Sequence, residues 1–390
     1  MEQFMAINEA INGFVWGPIM LVLLIGTGLY LSIRSGFIQF RYLGYAMKHT
    51  IGGLFGGNQR TSEGENISPF QAVATALAST VGTGNIVGVA TAIATGGPGA
   101  VFWMWISALL GMMTKFSEVT LAVKYRETGT DGQYRGGPMY YMKNGVGAKY
   151  PGLGKVLAVF FSIFAAFACF GIGNMTQSNS IASTLNTTFH VPTSITGIVL
   201  CVIVAAVVLG GLKNISRVTE MLVPFMAVFY VVFGLIIVLV HAKEIGPVFA
   251  DIFAGAFNPS SVLGGGAGVT IMMAVRMGMA RGVFSNEAGL GSAPIVHAAT
   301  SEKVPVKQGL WGIMEVFIDT IVICTLTSLI ILTAVYPAGD PNAGTFVWRA
   351  GHLNGADLTL KAFELGLPGQ IGSVFLTIGL FCFAFSTLLG

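Results

Sequence analysis

A chain of 390 residues with 54% hydrophobic and only 9% charged side chains cannot cover a water-facing surface, for which a soluble domain carries about 25% charge. The mean hydropathy of +0.76 reads as an all-α polytopic membrane protein. The net charge of +3, with no basic run, gives no ground for a nucleic-acid partner.

In chain order, the N-terminus carries Glu2 and Glu9, lacks a basic n-region and runs into a full-length apolar stretch, so no cleavable signal peptide is expected. Nine stretches are long enough to cross a bilayer: roughly 12–33, 68–95, 99–123, 156–186, 194–212, 218–241, 267–298, 309–336 and 368–390. Cys169, Cys201, Cys324 and Cys382 fall in such stretches without CxxC or metal spacing, and read as small, reduced core hydrophobes. Loops after the odd spans hold fourteen Lys and Arg, Arg60 among them; the opposite side holds Lys243, Arg349 and Lys361. That asymmetry places the N-terminus outside and the odd-span loops in the cytoplasm. Gly390 stands inside the ninth span without a flanking charge or aromatic anchor, so the chain reads as truncated there, with further helices expected beyond it.

Two spans break the apolar rule. The second contains Ala-Ser-Thr-Val-Gly-Thr-Gly-Asn at 78–85. The seventh contains Phe-Ser-Asn-Glu-Ala-Gly-Leu-Gly-Ser-Ala-Pro at 284–294. A helix broken at bilayer depth frees backbone groups that hydrocarbon cannot satisfy, so the break must face protein or a polar solute. Gly and Pro also serve close helix packing. Two such segments, five spans apart and both polar, favour a binding site between a pair of five-helix repeats. An odd number of helices per repeat inverts the second copy, leaving 12–33 as an addition, 68–241 as the first repeat and 267–390 as the second, incomplete one, within a single transporter domain.

The strings Ser-Thr-Val-Gly-Thr-Gly-Asn-Ile at 79–86, Gly-Gly-Pro-Gly-Ala-Val-Phe-Trp-Met-Trp at 96–105, Tyr-Arg-Gly-Gly-Pro-Met-Tyr-Tyr-Met at 134–142 and 284–294 resemble the alanine or glycine:cation symporters, also called the sodium/alanine symporter family. The resemblance implies a leucine-transporter-like five-plus-five inverted repeat with one extra N-terminal helix, and sodium as the co-transported ion. It implies that Ala78 and Val81 offer carbonyls to sodium, completed by the hydroxyls of Ser386 and Thr387. It implies a second cation near Asn85 and Ser285. Ser79, Asn286 and Glu287 depart from the related leucine transporter's pattern, so the polar chemistry at 286–287 belongs to this family.

The residues support such chemistry in their own right. Sodium is a hard cation that takes neutral or anionic oxygens. Thr80, Gly82, Thr83 and Gly84 can present backbone N–H groups to a carboxylate at the start of the second half-helix, and carbonyls with Asn286 can receive an ammonium. Gly289 and its neighbours leave room for little beyond a methyl side chain, so glycine and alanine are expected over leucine. Asn174 and Gln177 face either the substrate or a neighbouring helix, and Gly171 and Gly173 suggest close backbone approach.

Lys115 and Glu118, spaced i, i+3, read as a structural ion pair. Glu315 and Asp319 read as gate groups, proton or ion relays, or partners of Arg276 and Arg281, and the sequence leaves these open. His297 reads as a packing or interfacial residue, and Trp103, Trp105, Tyr140 and Tyr141 as interface anchors. No catalytic set such as HExxH or a Ser/His pair is present, so the chain is not read as an enzyme, and no repeated filter marks a channel. The function expected is sodium-coupled symport of small neutral amino acids into a prokaryotic cell by alternating access, in the inner membrane, as a monomer. Proton coupling through Glu287, Glu315 or Asp319 is the alternative.

Overall fold

The computed structural model describes residues 2–50, 52, 66–258, 270–337, 340–350, 353–367 and 369–390. Arg60, the first three residues of the expected seventh span and the first of the ninth lie outside the described residues. Of the described residues, 82% are helical. Among them six helices are long and apolar enough to span a membrane: Met5–Arg34, Gly99–Lys124, Pro151–Phe189, Gly211–Val240, Pro305–Thr333 and Ile371–Leu389. A seventh is the pair Pro69–Thr80 and Gly84–Gly96, bent by 48°. Thr193–Val208 is apolar but shorter, about 24 Å at 1.5 Å per residue. A second helix pair, Ile271–Asn286 and Ala293–Ala298, is separated by residues 287–292. The two interrupted helices are therefore the two that the glycine and hydroxyl residues single out.

Several elements differ from expectation at their edges. Gly211–Val240 begins earlier than 218, so Lys213 and Arg217 occupy its first turns rather than a loop. Two amphipathic helices, Ala242–Phe257 and Gly355–Gly366, fill what read as loops. Glu127–Thr128 pairs antiparallel with Tyr134–Arg135, a two-stranded hairpin in an otherwise helical chain.

The third span, Gly99–Lys124, is the axis on which the others pack, and glycines let their backbones reach it. A Cβ on Gly278 would strike the Ala100 carbonyl and meet Trp103 Cβ at 2.8 Å. One on Gly282 would strike Ser107 Oγ, and one on Gly312 would meet the Lys115 carbonyl at 3.0 Å. The Gly-x-x-x-Gly of 278–282 is thus a close-packing face. Trp103 and Trp105, both half-buried, join this packing, their indoles donating to the Ala256 carbonyl (3.1 Å) and to Thr325 Oγ1 (2.8 Å).

An aromatic cluster ties the short helix Gly355–Gly366 to the sixth and ninth spans. Tyr230 is fully buried, with Phe383, Phe363 and Phe375 ring centroids at 5.0, 6.1 and 6.4 Å. Such pairs contribute about 0.5–1.5 kcal/mol each beyond burial. The Tyr230 hydroxyl is satisfied by Thr327 Oγ1 at 2.7 Å. The outward face of Pro151–Phe189 instead exposes Phe160, Phe164, Phe167 and Phe170, as a lipid-facing helix should. Cys169 and Cys201 lie on exposed faces of their helices and only Cys324 is fully buried, which corrects their reading as core residues.

Candidate functional site: two helix breaks around a small cavity

The first break is set by strong signals on either side. Ser68 and Gln71 form a reciprocal capping box and Pro69 opens the helix, the arrangement that satisfies first-turn amides. The helix runs to Thr80, and Val81 leaves it at φ −79°, ψ 89°. Asn85 Oδ1 then accepts from the Gly82 N–H at 2.9 Å, and Gln177 Oε1 from the Thr83 N–H at 3.3 Å. Side chains thus replace intrahelical partners lost at the break. The Gly84 N–H has no acceptor among the described residues. The chain resumes as a π turn, Gly84–Gly88, and continues as Val89–Gly96.

The second break turns on Glu287, in the left-handed region at φ 54°, and on Gly289 and Gly291 at φ 93° and 84°. Asn286 Oδ1 accepts from the Ala288 N–H at 3.0 Å, while its amide donates to Thr320 Oγ1 at 3.1 Å. The breaks touch: a Cβ on Gly84 would meet Ser285 Cα at 3.1 Å. Asp319 on the eighth span joins them. Its carboxylate accepts from Asn85 Nδ2 (2.7 Å), Ser285 Oγ (2.9 Å) and Thr320 Oγ1 (2.7 Å). Asn85 and Ser285 therefore converge, on a buried carboxylate that the sequence did not attach to them.

A cavity of about 200 Å³ lies between the breaks and the fourth span, smaller than the roughly 300–1,000 Å³ typical of drug-sized ligands. Thr80, Gly82, Gly84 and Gln177 line it, with Phe284 and Glu287 from the second break. Thr83 reaches it only through Gln177. Ser285 and Asn286 turn instead toward the eighth span. Gly289 packs elsewhere, where a Cβ would meet Leu24 Cδ2 at 2.8 Å, and its N–H donates to Glu118 Oε2 at 3.1 Å. Asn174 is exposed and accepts from Ser178, so Gln177 is the member of that pair that faces the cavity. No close approach occurs at Gly171 or Gly173, where a Cβ meets nothing within 4 Å among the described residues. They sit in a π segment, Cys169–Met175, which shifts the helix phase.

Beside the cavity the ninth span brings hydroxyls to the end of the first half-helix. Thr387 Oγ1 lies 3.0 Å from the Ala78 carbonyl, and Ser386 Oγ 3.4 Å from it. Val81 is buried one turn on. The distant sequence positions 78 and 386–387 are thus one cluster of hard oxygen atoms.

A charged network lies beside the second break. Lys115 does not pair with Glu118. It pairs with Glu315 at 3.2 Å, both fully buried, because the third and eighth spans face each other across Gly312. Glu118 is spent on the Gly289 N–H. His297 is buried and polar rather than simply packed: Gln308 Nε2 lies 2.8 Å from its Nδ1, and its Nε2 lies 3.2 Å from Glu315. The network assigns the Nε2–H tautomer, which donates to the carboxylate. Arg126 ties the chain beyond Ala293–Ala298 to the end of the third span, donating to the carbonyls of Ala298, Thr300 and Glu302. Arg276 and Arg281 are partners of neither Glu315 nor Asp319 among the described residues.

Interrupted apolar helices meeting at a small cavity are the arrangement on which secondary transporters build their binding sites. The chain belongs to the sodium:alanine symporter family, whose family model matches residues 1–390. It is 48% identical over 389 residues to the sodium/alanine symporter AgcS of Methanococcus maripaludis, covering 100% of this chain and 81% of that protein. It is similar to the putative sodium/proton-dependent alanine carrier protein YrbD of Bacillus subtilis, at 40% identity, with 100% of this chain and 77% of the relative covered. The probable sodium/glutamine symporter GlnT of the same organism is 36% identical, with 97% and 73% covered. Family and relatives are transporters, not enzymes.

Proposed function

We propose that this protein carries small neutral amino acids, alanine and glycine, into the cell with sodium by alternating access. In this reading 68–241 and 267–390 belong to two inverted five-helix repeats, and 12–33 is an added helix. The N-terminus faces outside, the membrane is a prokaryotic inner membrane and the carrier acts as a monomer. The observation that carries the reading is the 200 Å³ cavity between two broken helices, with the Ser386 and Thr387 hydroxyls beside the Ala78 carbonyl. Sodium takes those three oxygens and the Val81 carbonyl. The substrate carboxylate takes the Gly84 amide at a half-helix N-terminus, with Thr80, Gly82 and Gln177 around it and Thr83 held by Gln177. Ser285, Asn286 and Gly289 shape the second break. A second cation, or a proton, is held where Asn85 and Ser285 meet Asp319.

Thr387→Ala is expected to raise the sodium concentration for half-maximal uptake about tenfold, because one of few hard ligands is lost. Unchanged sodium dependence would place the ion elsewhere. Substrate size gives a second test, in competition against labelled alanine. Each methylene the small cavity cannot accept costs on the order of 1–3 kcal/mol. Glycine and serine are expected to compete well, and valine and leucine at least about tenfold worse. Leucine displacing alanine as well as glycine does would remove the small-substrate reading.

A further inference from the structure

Glu287 is the one carboxylate among the residues that line the cavity. Its backbone, at φ 54°, occupies a region that glycine enters freely and other L residues rarely do. Two glycines follow within four residues, so the local sequence supplies the residue type that this conformation favours at 289 and 291 but not at 287. A side chain kept at such a position points to chemistry rather than to chain geometry. The Ser292 hydroxyl donates to one carboxylate oxygen and fixes the group. No Lys or Arg lies within ion-pair distance of it among the described residues; Lys115, whose own ion pair is with Glu315 at 3.2 Å, acts on it only at longer range. Gly82 and Gly84, at the start of the resumed first broken helix, line the same cavity, and of the two the Gly84 N–H has no acceptor among the described residues. A cavity lined by a free half-helix amide and a fixed carboxylate matches a zwitterion in both of its charges.

We propose that Glu287 is the specificity-determining residue that recognises the ammonium group of the transported amino acid. This rests on the amino-acid reading of the cavity. It separates alanine from propionate, the same carboxylate without the ammonium, which would leave Glu287 buried against an uncharged group. Discrimination of this kind is large, because a buried charged acceptor without its donor is costly.

The test uses calorimetric titration of the purified protein in saturating sodium with alanine and with propionate, for wild type, Glu287→Gln and Glu287→Gly. Thermal stabilisation by sodium alone is measured in parallel. Wild type is expected to bind alanine and to prefer it to propionate. Both variants are expected to lose alanine affinity by about tenfold or more, as for a lost charge-assisted hydrogen bond. Their sodium-dependent stabilisation should match wild type, since the Ala78, Ser386 and Thr387 oxygens are untouched. The glycine variant should melt no lower than wild type, because glycine suits the left-handed position. A variant that keeps wild-type alanine affinity overturns the proposal. So does alanine loss accompanied in both variants by loss of sodium stabilisation, which marks a structural role. If wild type binds alanine, these results bear on Glu287 alone; if wild type binds no alanine, the amino-acid reading itself fails.

Discussion

Gly82→Val is expected to abolish alanine uptake while the protein stays folded and inserted. A Cβ at position 82 would strike Thr387 Oγ1 and lie 3.3 Å from Thr387 Cβ and 3.4 Å from Gln177 Oε1. Valine adds two further methyl groups to a stiff, β-branched centre. The side chain must therefore push the ninth span away from the break. That moves Thr387 from the Ala78 carbonyl, now 3.0 Å away, and Gln177 from the Thr83 amide, now 3.3 Å away. One substitution thereby disturbs both the ion and the solute sites. Overpacking costs about 1–3 kcal/mol, within the roughly 5–15 kcal/mol of a folded domain, so insertion should survive. A shift of even about 1 Å in a positioned site is worth about 100-fold. The check is labelled alanine uptake in proteoliposomes beside a size-exclusion profile. A monodisperse variant with wild-type uptake would show that the break does not hold the substrate.

Lys115→Met is expected to destabilise the protein strongly. Lys115 and Glu315 are both fully buried at 3.2 Å, and breaking such a pair costs about 3–5 kcal/mol because one charge is left without compensation. The remaining partner of Glu315 is His297 Nε2 at 3.2 Å. The double variant Lys115→Met, Glu315→Gln should recover most of the loss, since it removes both charges and keeps the volumes. Thermal unfolding of the three proteins in detergent reads this directly. A single variant as stable as wild type, or a double variant worse than the single, would mean that the pair is not what holds the third and eighth spans together.

Much of the site was legible in the sequence because it depends on local backbone chemistry. Glycine and hydroxyl residues inside apolar spans mark breaks, and the helices are interrupted at both, at 81–83 and 287–292. The approach of Ser386 and Thr387 to Ala78 came from the family resemblance, since no local signal links positions about 300 residues apart. What failed was the choice of partner and of face. Lys115 was matched to Glu118 by helix spacing, whereas its partner lies on another span. Asn174 and Gln177 are three residues apart, yet only Gln177 faces the cavity, because the π segment at 169–175 alters the phase that an α-helix would give. Ser285 and Asn286 are adjacent to the cavity in sequence but turn toward the eighth span. Ala242–Phe257 and Gly355–Gly366 are too short and too polar to register as spans, and their apolar faces find partners only in the folded chain.

The most direct test of the transport account is uptake of labelled alanine by proteoliposomes under a sodium gradient, a proton gradient, or neither. An inward sodium gradient is expected to drive alanine above its equilibrium level at constant pH, and equimolar potassium to give only equilibration or less. Accumulation driven equally well by a proton gradient in sodium-free buffer, or no alanine accumulation under the sodium gradient, would contradict it.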